Sequence, residues 1–210
     1  MIGGKAEGLA RLQELGLPVP PFVAVPVGRE PDADAVAALG EPLAVRSSAV
    51  GEDTADRSAA GQYETVLGVT RATLRDAVAR VRSSTQRAEA YGAGGDVGVV
   101  VQRQVPATRA GVVFSRDPVR GEDVVLIECA LGGGEAVVSG EVTPDRYRVA
   151  GDHVHARATG TVRTLRDDEA HEVAALVRRA EAGFGRPVDV EFCFEGRVLW
   201  LVQCRPITTL

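Results

Sequence analysis

The closing stretch of the chain limits its fold more than any other. Residues 188–209 read VDVEFCFEGRVLWLVQCRPITT. Alternation puts Val188, Val190, Phe192 and Phe194 on one face of a strand, and Asp189, Glu191 and Cys193 on the other. Glu195-Gly196 marks a tight turn, and a second run over 197–204 follows at once, which reads as a β-hairpin. Gln203 and Arg205, two apart on the partner strand, also share a face. Two carboxylates, an amide and a guanidinium on one sheet face are costly unless they hold something charged. A carboxylate beside an amide oxygen suits Mg2+, and Arg suits phosphate. A solvated outer face laced by a cross-strand ion pair would look the same at this level.

Composition narrows the choice. The chain has 210 residues, 45% of them hydrophobic, enough for one large domain or two small lobes. Aromatic residues make up only 4%, so the core must come from Val, Leu and Ala. The net charge of −5 is spread among interspersed acids and bases, with no basic stripe of the kind that binds nucleic acid or an anionic membrane. No apolar run reaches the length of a membrane helix, and the N-terminus lacks a signal-peptide hydrophobic region, so a cytoplasmic protein is expected. Cys129, Cys193 and Cys204 sit in apolar runs and read as small buried hydrophobes in a reducing compartment. A Cys193–Cys204 disulfide across the hairpin is conceivable but not expected. His153, His155 and His171 have no metal-ligand spacing with cysteine, and His153 and His155 alternate on a surface strand.

Taken in order, a Gly-rich entry leads to a short helix with Leu9, Leu12 and Leu15 at helical spacing and a stop at Gly16. Strands are expected over 22–27, 43–46, 63–69, 97–105, 111–114, 124–129 and from 147. The Val-rich run over 97–105 suits a strand buried on both faces. Helical stripes mark 70–91, through Leu74, Ala77, Val78 and Val81, and 167–182, through Val173, Leu176 and Val177.

Four further stretches could carry chemistry. Gly3-Gly4-Lys5 stands at a helix entrance, where backbone N–H groups and a cation favour an anion. It is not a Walker A sequence, and a solvated Lys would look alike. Arg46 ends a strand before Ser47-Ser48 and can fork onto phosphate oxygens. Arg57-Ser58-Ala59-Ala60-Gly61-Gln62 is a small-residue loop able to lie over a triphosphate, or a plain hairpin loop. Gln102-Arg103-Gln104-Val105 is where a core strand turns polar and could read an adenine edge.

Together these pieces resemble the N-terminal nucleotide-binding domain shared by phosphoenolpyruvate synthase, pyruvate phosphate dikinase and the rifampin phosphotransferases. The matching strings are GGKAEGLARLQELGLPVPPF, AVRSSAVGEDTADRSAAGQYETVLGV, VVVQRQVPATRAGVVFSRDP, IECALGGGEAVVSGEVTPDRYRV and VDVEFCFEGRVLWLVQCRPIT, in the family's order. The resemblance implies an α+β ATP-grasp fold with two mostly antiparallel lobes, 1–95 and 96–210, and a nucleotide cleft between them. It implies phosphate-contacting roles for Lys5, Arg46 and Arg205. It places Ser58, Ala59, Gly61 and Gln62 in the loop over the triphosphate, and Gln102, Arg103, Gln104 and Val105 in the adenine hinge. Glu128 joins the nucleotide contacts. Glu191 and Gln203 match the pair that holds Mg2+, with Asp189 beside them.

The departures bear on function. A long helical section that the family carries between Phe22 and Leu43 is mostly missing, the stretch between Val149 and Val188 is abbreviated, and position 59 is often aromatic in relatives. The sequence stops soon after Arg205, where full-length enzymes continue into a swivelling domain whose His carries the phosphoryl group. No histidine here sits in such a motif. The expected function is therefore an Mg-ATP-dependent phosphotransferase module whose acceptor is a His on a separate protein or a small molecule. The alternatives are an ATP-grasp ligase working through an acyl phosphate, and a non-catalytic nucleotide-binding subunit.

Overall fold

Two separate apolar clusters, one built mostly from Val, divide the molecule. In the computed structural model, residues 1–49, 65–89, 97–133 and 142–207 are described. The chain forms two compact units: Met1–Gly8 with Pro20–Gln104, and Leu9–Val19 with Val105–Leu210. The division therefore falls after Gln104 rather than near residue 95. The physical reason is the Val-rich strand, which pairs on both sides within the first unit.

That first unit holds a four-stranded antiparallel sheet in the order β1 (Phe22–Val25), β4 (Val97–Arg103), β2 (Leu43–Ala49) and β3 (Thr65–Val69). Strand β4 is central and buried over all but its last residue, as a run without alternation requires. The core face gathers Leu43, Val45, Val99 and Val101 against Val78 and Val81 of helix α3 (Leu74–Glu89). Helix α3 starts at Leu74, the first residue of the apolar stripe and four residues after the expected start at 70, because Thr73 Oγ1 accepts the Thr70 N–H at 3.0 Å and closes a local turn there. The short α2 (Ala33–Ala37) is capped by Asp32, whose carboxylate accepts the Ala35 N–H at 2.8 Å.

The second unit is a six-stranded antiparallel sheet in the order β10-β9-β5-β6-β7-β8, made of β5 (Arg109–Phe114), β6 (Val125–Leu131), β7 (Asp145–Ala150), β8 (His153–Arg157), β9 (Val188–Glu195) and β10 (Val198–Pro206). Its apolar face is covered by α4 (Asp167–Phe184), through Ala170, Val173, Val177 and Ala180. Beneath them lie Val190, Phe192, Phe194, Ile127 and Tyr147, with the two Phe rings edge to face at 6.1 Å. Each such side chain contributes about 1.5–3 kcal/mol by burial. Helix α1 (Gly4–Glu14) belongs to both units, its later residues including Leu12 in this second core.

The hairpin folds as its alternation predicts, with one addition. Between Leu201 and Gln203 the register shifts at a β-bulge, so Gln203 pairs with Glu191 and Arg205 with Asp189. All three cysteines are free and buried. Cys193 lies opposite Trp200 and Cys204 opposite Val190, on opposite faces of the hairpin, so a disulfide between them is sterically excluded. His153 and His155 are exposed on edge strand β8.

Candidate functional site

Directly opposed residues in an antiparallel sheet point to the same face. Following the pairing across the second sheet gives one continuous row: Gln203 on β10, Glu191 on β9, Val112 on β5, Glu128 on β6, Arg146 on β7 and Arg157 on β8. A parallel row one step along begins with Arg205 and Asp189. The face away from α4 therefore carries the hairpin's four polar residues, as the alternation predicts, and Glu128 besides.

Within this face the charges are ordered. Arg205 Nε donates to Asp189 Oδ2 at 2.9 Å, and Nη2 lies 2.8 Å from the same oxygen in an ion pair. The Asp189 side chain is only 9% exposed, and that of Arg205 is 50% exposed. Burial pushes the Asp189 carboxyl above the usual range; Arg205 opposes this, and nearby Glu191 adds to it. The pair leaves Arg205 fixed at its stem with guanidinium surface still open to water. Arg146 Nε forms an ion pair with Glu128 Oε1 at 2.9 Å, along the other row.

Among the described residues, no cluster of three or more His, Cys, Asp and Glu side chains is placed to hold a metal ion. Mg2+ does not need one, because it keeps several waters and binds through one or two carboxylates plus substrate phosphates. The Glu191 carboxylate opposite the Gln203 amide supplies two hard oxygen donors of that kind, so the residues present fit the ion.

In the first unit, Arg46 lies on the β2 face that also carries Ala44 and Ser48, and Gln102 points from β4 to the same face. Ser48 Oγ accepts the Ala6 N–H at 3.0 Å, which ties the start of α1, and with it Lys5, beside this face. The approach is close: Gly3, at φ 77°, has Ser48 O where a Cβ would stand. Gln102 is buried and its Nε2 donates to Pro20 O at 3.3 Å. Backbone N–H groups of Arg103 and Gln104 donate to Pro21 O and Pro42 O, both at 2.9 Å, and Gln104 Oε1 accepts the Gly68 N–H. Two donors of the expected adenine-reading segment are thus committed inside the unit, which shifts any base reading towards Val105. Ser58, Ala59, Gly61 and Gln62 lie outside the described residues.

Lys5, Arg46, Gln102, Arg103 and Gln104 belong to the first unit, and Val105, Glu128, Asp189, Glu191, Gln203 and Arg205 to the second. Sequence reasoning missed Arg146. Its only signal was alternation in PDRYRV, which puts Arg146 and Arg148 opposite Tyr147; its partner depends on sheet order.

The family described as pyruvate phosphate dikinase, AMP/ATP-binding domain, matches residues 29–161 and 154–210. A rifampicin phosphotransferase from a Streptomyces species is 38% identical over 241 aligned residues, covering 96% of this chain and 27% of that protein. A probable phosphoenolpyruvate synthase from Archaeoglobus fulgidus is 35% identical over 205 residues, covering 80% and 27%. The chain thus spans about a quarter of the length of these relatives. The first alignment is longer than the chain itself, so that relative carries residues with no counterpart here. Among solved structures, the D-alanine–D-alanine ligase of Bacillus anthracis complexed with ATP matches 97% of this chain and 55% of its own, with a TM-score of 0.58 at 10% identity. An N5-carboxyaminoimidazole ribonucleotide synthetase in its ADP complex gives a TM-score of 0.58 at 13% identity over 94% of this chain and 42% of its own. These likenesses identify the fold as α+β ATP-grasp. With the family match running over most of its length, the chain belongs to the pyruvate phosphate dikinase AMP/ATP-binding domain family.

Proposed function

We propose that this chain binds Mg-ATP and transfers a phosphoryl group to an acceptor outside the chain, either a His on a separate protein or a small molecule. The observation that carries the reading is the pairing of Glu191 with Gln203, and of Asp189 with Arg205, on one face of a nucleotide-binding family's sheet. Glu191 and Gln203 would hold Mg2+, with Asp189 beside them, and the ion would neutralise charge on phosphate oxygens. Arg205, held by Asp189, presents donors to the transferring phosphoryl. Lys5 and Arg46 add positive charge to the same nucleotide, which favours a transition state whose charge spreads over the phosphoryl oxygens. Val105, with the neighbouring Gln102, Arg103 and Gln104, reads the base. Ser58, Ala59, Gly61 and Gln62 are assigned, by the family resemblance alone, to contacts with the triphosphate. Three buried free cysteines fit a reducing compartment, and we assign the protein to the cytoplasm.

Calorimetric titration with ATP in Mg2+ tests this directly. Saturable binding is expected, with ATP consumed once a competent acceptor is added; a flat titration would end the reading. Product identity separates the chemistries. Phosphohistidine or a phosphorylated metabolite supports phosphotransfer, whereas phosphate plus an amide would replace it with a ligase. Tight binding without turnover for any acceptor would make the chain a nucleotide-binding subunit.

A further inference from the structure

We propose that a cavity at the C-terminal end of α4 binds the dianionic phosphate group of a small molecule, at a site separate from the proposed nucleotide contacts. The cavity has a volume of about 640 Å³ and lies wholly within the second unit. That size is usual for a small-molecule site. Three segments meet there. The loop after β5 brings Arg116, the last turns of α4 bring Arg178 and Glu181, and the link into β9 brings Arg186. The rest of the lining is Gly, Ala and Pro, so no bulky side chain fills the space. Helix α4 packs on the sheet face opposite to the one that carries Glu191 and Gln203, which sets the cavity apart from the proposed metal ligands.

Glu181 organises the arginines. Its side chain is only 14% exposed, and its two oxygens accept one N–H each, from Arg116 Nε and Arg178 Nη1, both at 2.8 Å. A guanidinium carries five N–H donors in a rigid fork, so most of both forks stay uncommitted. Arg178 Nη2 also lies 2.6 Å from Asp123 Oδ1, but that carboxylate is 68% exposed and a ligand can displace it. Arg186 is exposed and forms no ion pair with any described residue. The end of α4 draws some of this positive charge, because it carries about half a negative unit and its own last turn has no basic residue. Three guanidinia still exceed Glu181, Asp123 and that half-unit together. A positive excess presented as planar forks is the chemistry that takes phosphate oxygens two at a time. The frame beneath is firm. Ser115, next to Arg116, donates its N–H to Val188 O and accepts the Val188 N–H on Oγ, both at 2.9 Å, so the loop and the link that line the cavity are tied together.

The test is calorimetric titration of the full chain with inorganic phosphate, in EDTA and without nucleotide. Saturable binding is expected. Arg186→Ala should weaken it about tenfold, the worth of one hydrogen bond to a charged group, and Arg186→Lys should recover part of the loss. Arg205→Ala, on the other sheet face, should bind phosphate as wild type does, and Mg-ATP should bind Arg186→Ala as it binds wild type. Phosphate should also protect Arg178 and Arg186 from phenylglyoxal, read by peptide mass, and glycerol 3-phosphate should compete for the same site. A wild type without saturable phosphate binding overturns the proposal, as does unchanged binding in Arg186→Ala. Succinate binding more tightly than phosphate overturns the ligand class, and loss of phosphate binding in Arg205→Ala alone moves the anion to the nucleotide face. None of these failures touches the Mg-ATP reading, which rests on other residues.

Discussion

The two faces of the six-stranded sheet come from the same strands, yet their polar groups behave in opposite ways. On the face beneath α4, every named polar side chain is closed on itself. Asp145 accepts N–H and hydroxyl bonds from both Thr159 and Thr164, at 2.7–3.0 Å. Tyr147 accepts the Leu165 N–H at 2.8 Å. Arg109 forks onto Glu169 at 2.8 and 2.9 Å and lies 4.3 Å over the Phe194 ring, while Glu169 also accepts the Arg166 N–H that opens α4. These bonds lace the loop before α4, and the helix start, onto the sheet. On the opposite face, Glu191, Glu128 and Arg205 keep surface turned to water beside the buried Asp189 and Gln203. Satisfied polar groups specify a fold; polar groups held in place and left accessible are what a ligand can use.

The comparison can be broken most sharply at Asp145. Asp145→Ala removes the acceptor of four part-buried donors, and a stability loss of about 2–3 kcal/mol is expected from urea unfolding. Next in size, Glu191→Ala should weaken Mg-ATP binding by roughly thirtyfold or more while its urea midpoint stays near wild type. A Glu191 variant that unfolds instead, or an Asp145 variant that melts normally, would erase the distinction between the faces.

Acid titration sharpens the same contrast by sign. Burial pushes Asp145 up, but the Thr159 and Thr164 bonds together hold it below the usual carboxylate range. The bond from Arg109 holds Glu169 below it as well. Stability from these two groups is present above their unfolded values, near 4, and is lost as pH falls through the folded ones. Asp189 has the opposite sign: its contribution is full below the unfolded value and lost as pH rises through the raised folded value. Relative to wild type, Asp145→Asn should flatten the loss of stability in acid, and Asp189→Asn should gain stability from acid to neutral pH. Urea midpoints across that range measure both, and slopes of equal sign would refute the assignment. The smallest effect is chemical. Burial pushes the Cys129 thiol up to about 12, so native protein at pH 8 should leave Cys129 unmodified by iodoacetamide, read by peptide mass.

Much of this was legible in the sequence because period-two alternation is a local signal. Val188, Val190, Phe192 and Phe194 point inward, and Asp189 and Glu191 outward, as counting alone predicts. The α4 stripe through Val173 and Val177 was equally readable. Misreadings arose where the answer was not local. The Gly-rich break before Val97 resembles a linker, yet β4 lies between β1 and β2, a matter of pairing that no run of Val reveals. The Glu128–Arg146 contact depends on β6 lying beside β7 in one particular register. The commitment of the Arg103 and Gln104 N–H groups to prolyl carbonyls is likewise set by residues far off in the chain.

The surplus residue at Val202 has a consequence for how this strand tolerates change. Leu199 and Leu201 face inward, so uninterrupted counting would send Gln203 into the core and turn Cys204 out to water. One extra position resets the phase, and every side chain after it lands on the side its chemistry requires. A deletion of Val202 would merely straighten the ladder, whereas losing one residue from 203–205 would swap wet for dry along the strand's end. For anyone lengthening or trimming this hairpin, parity matters more than length.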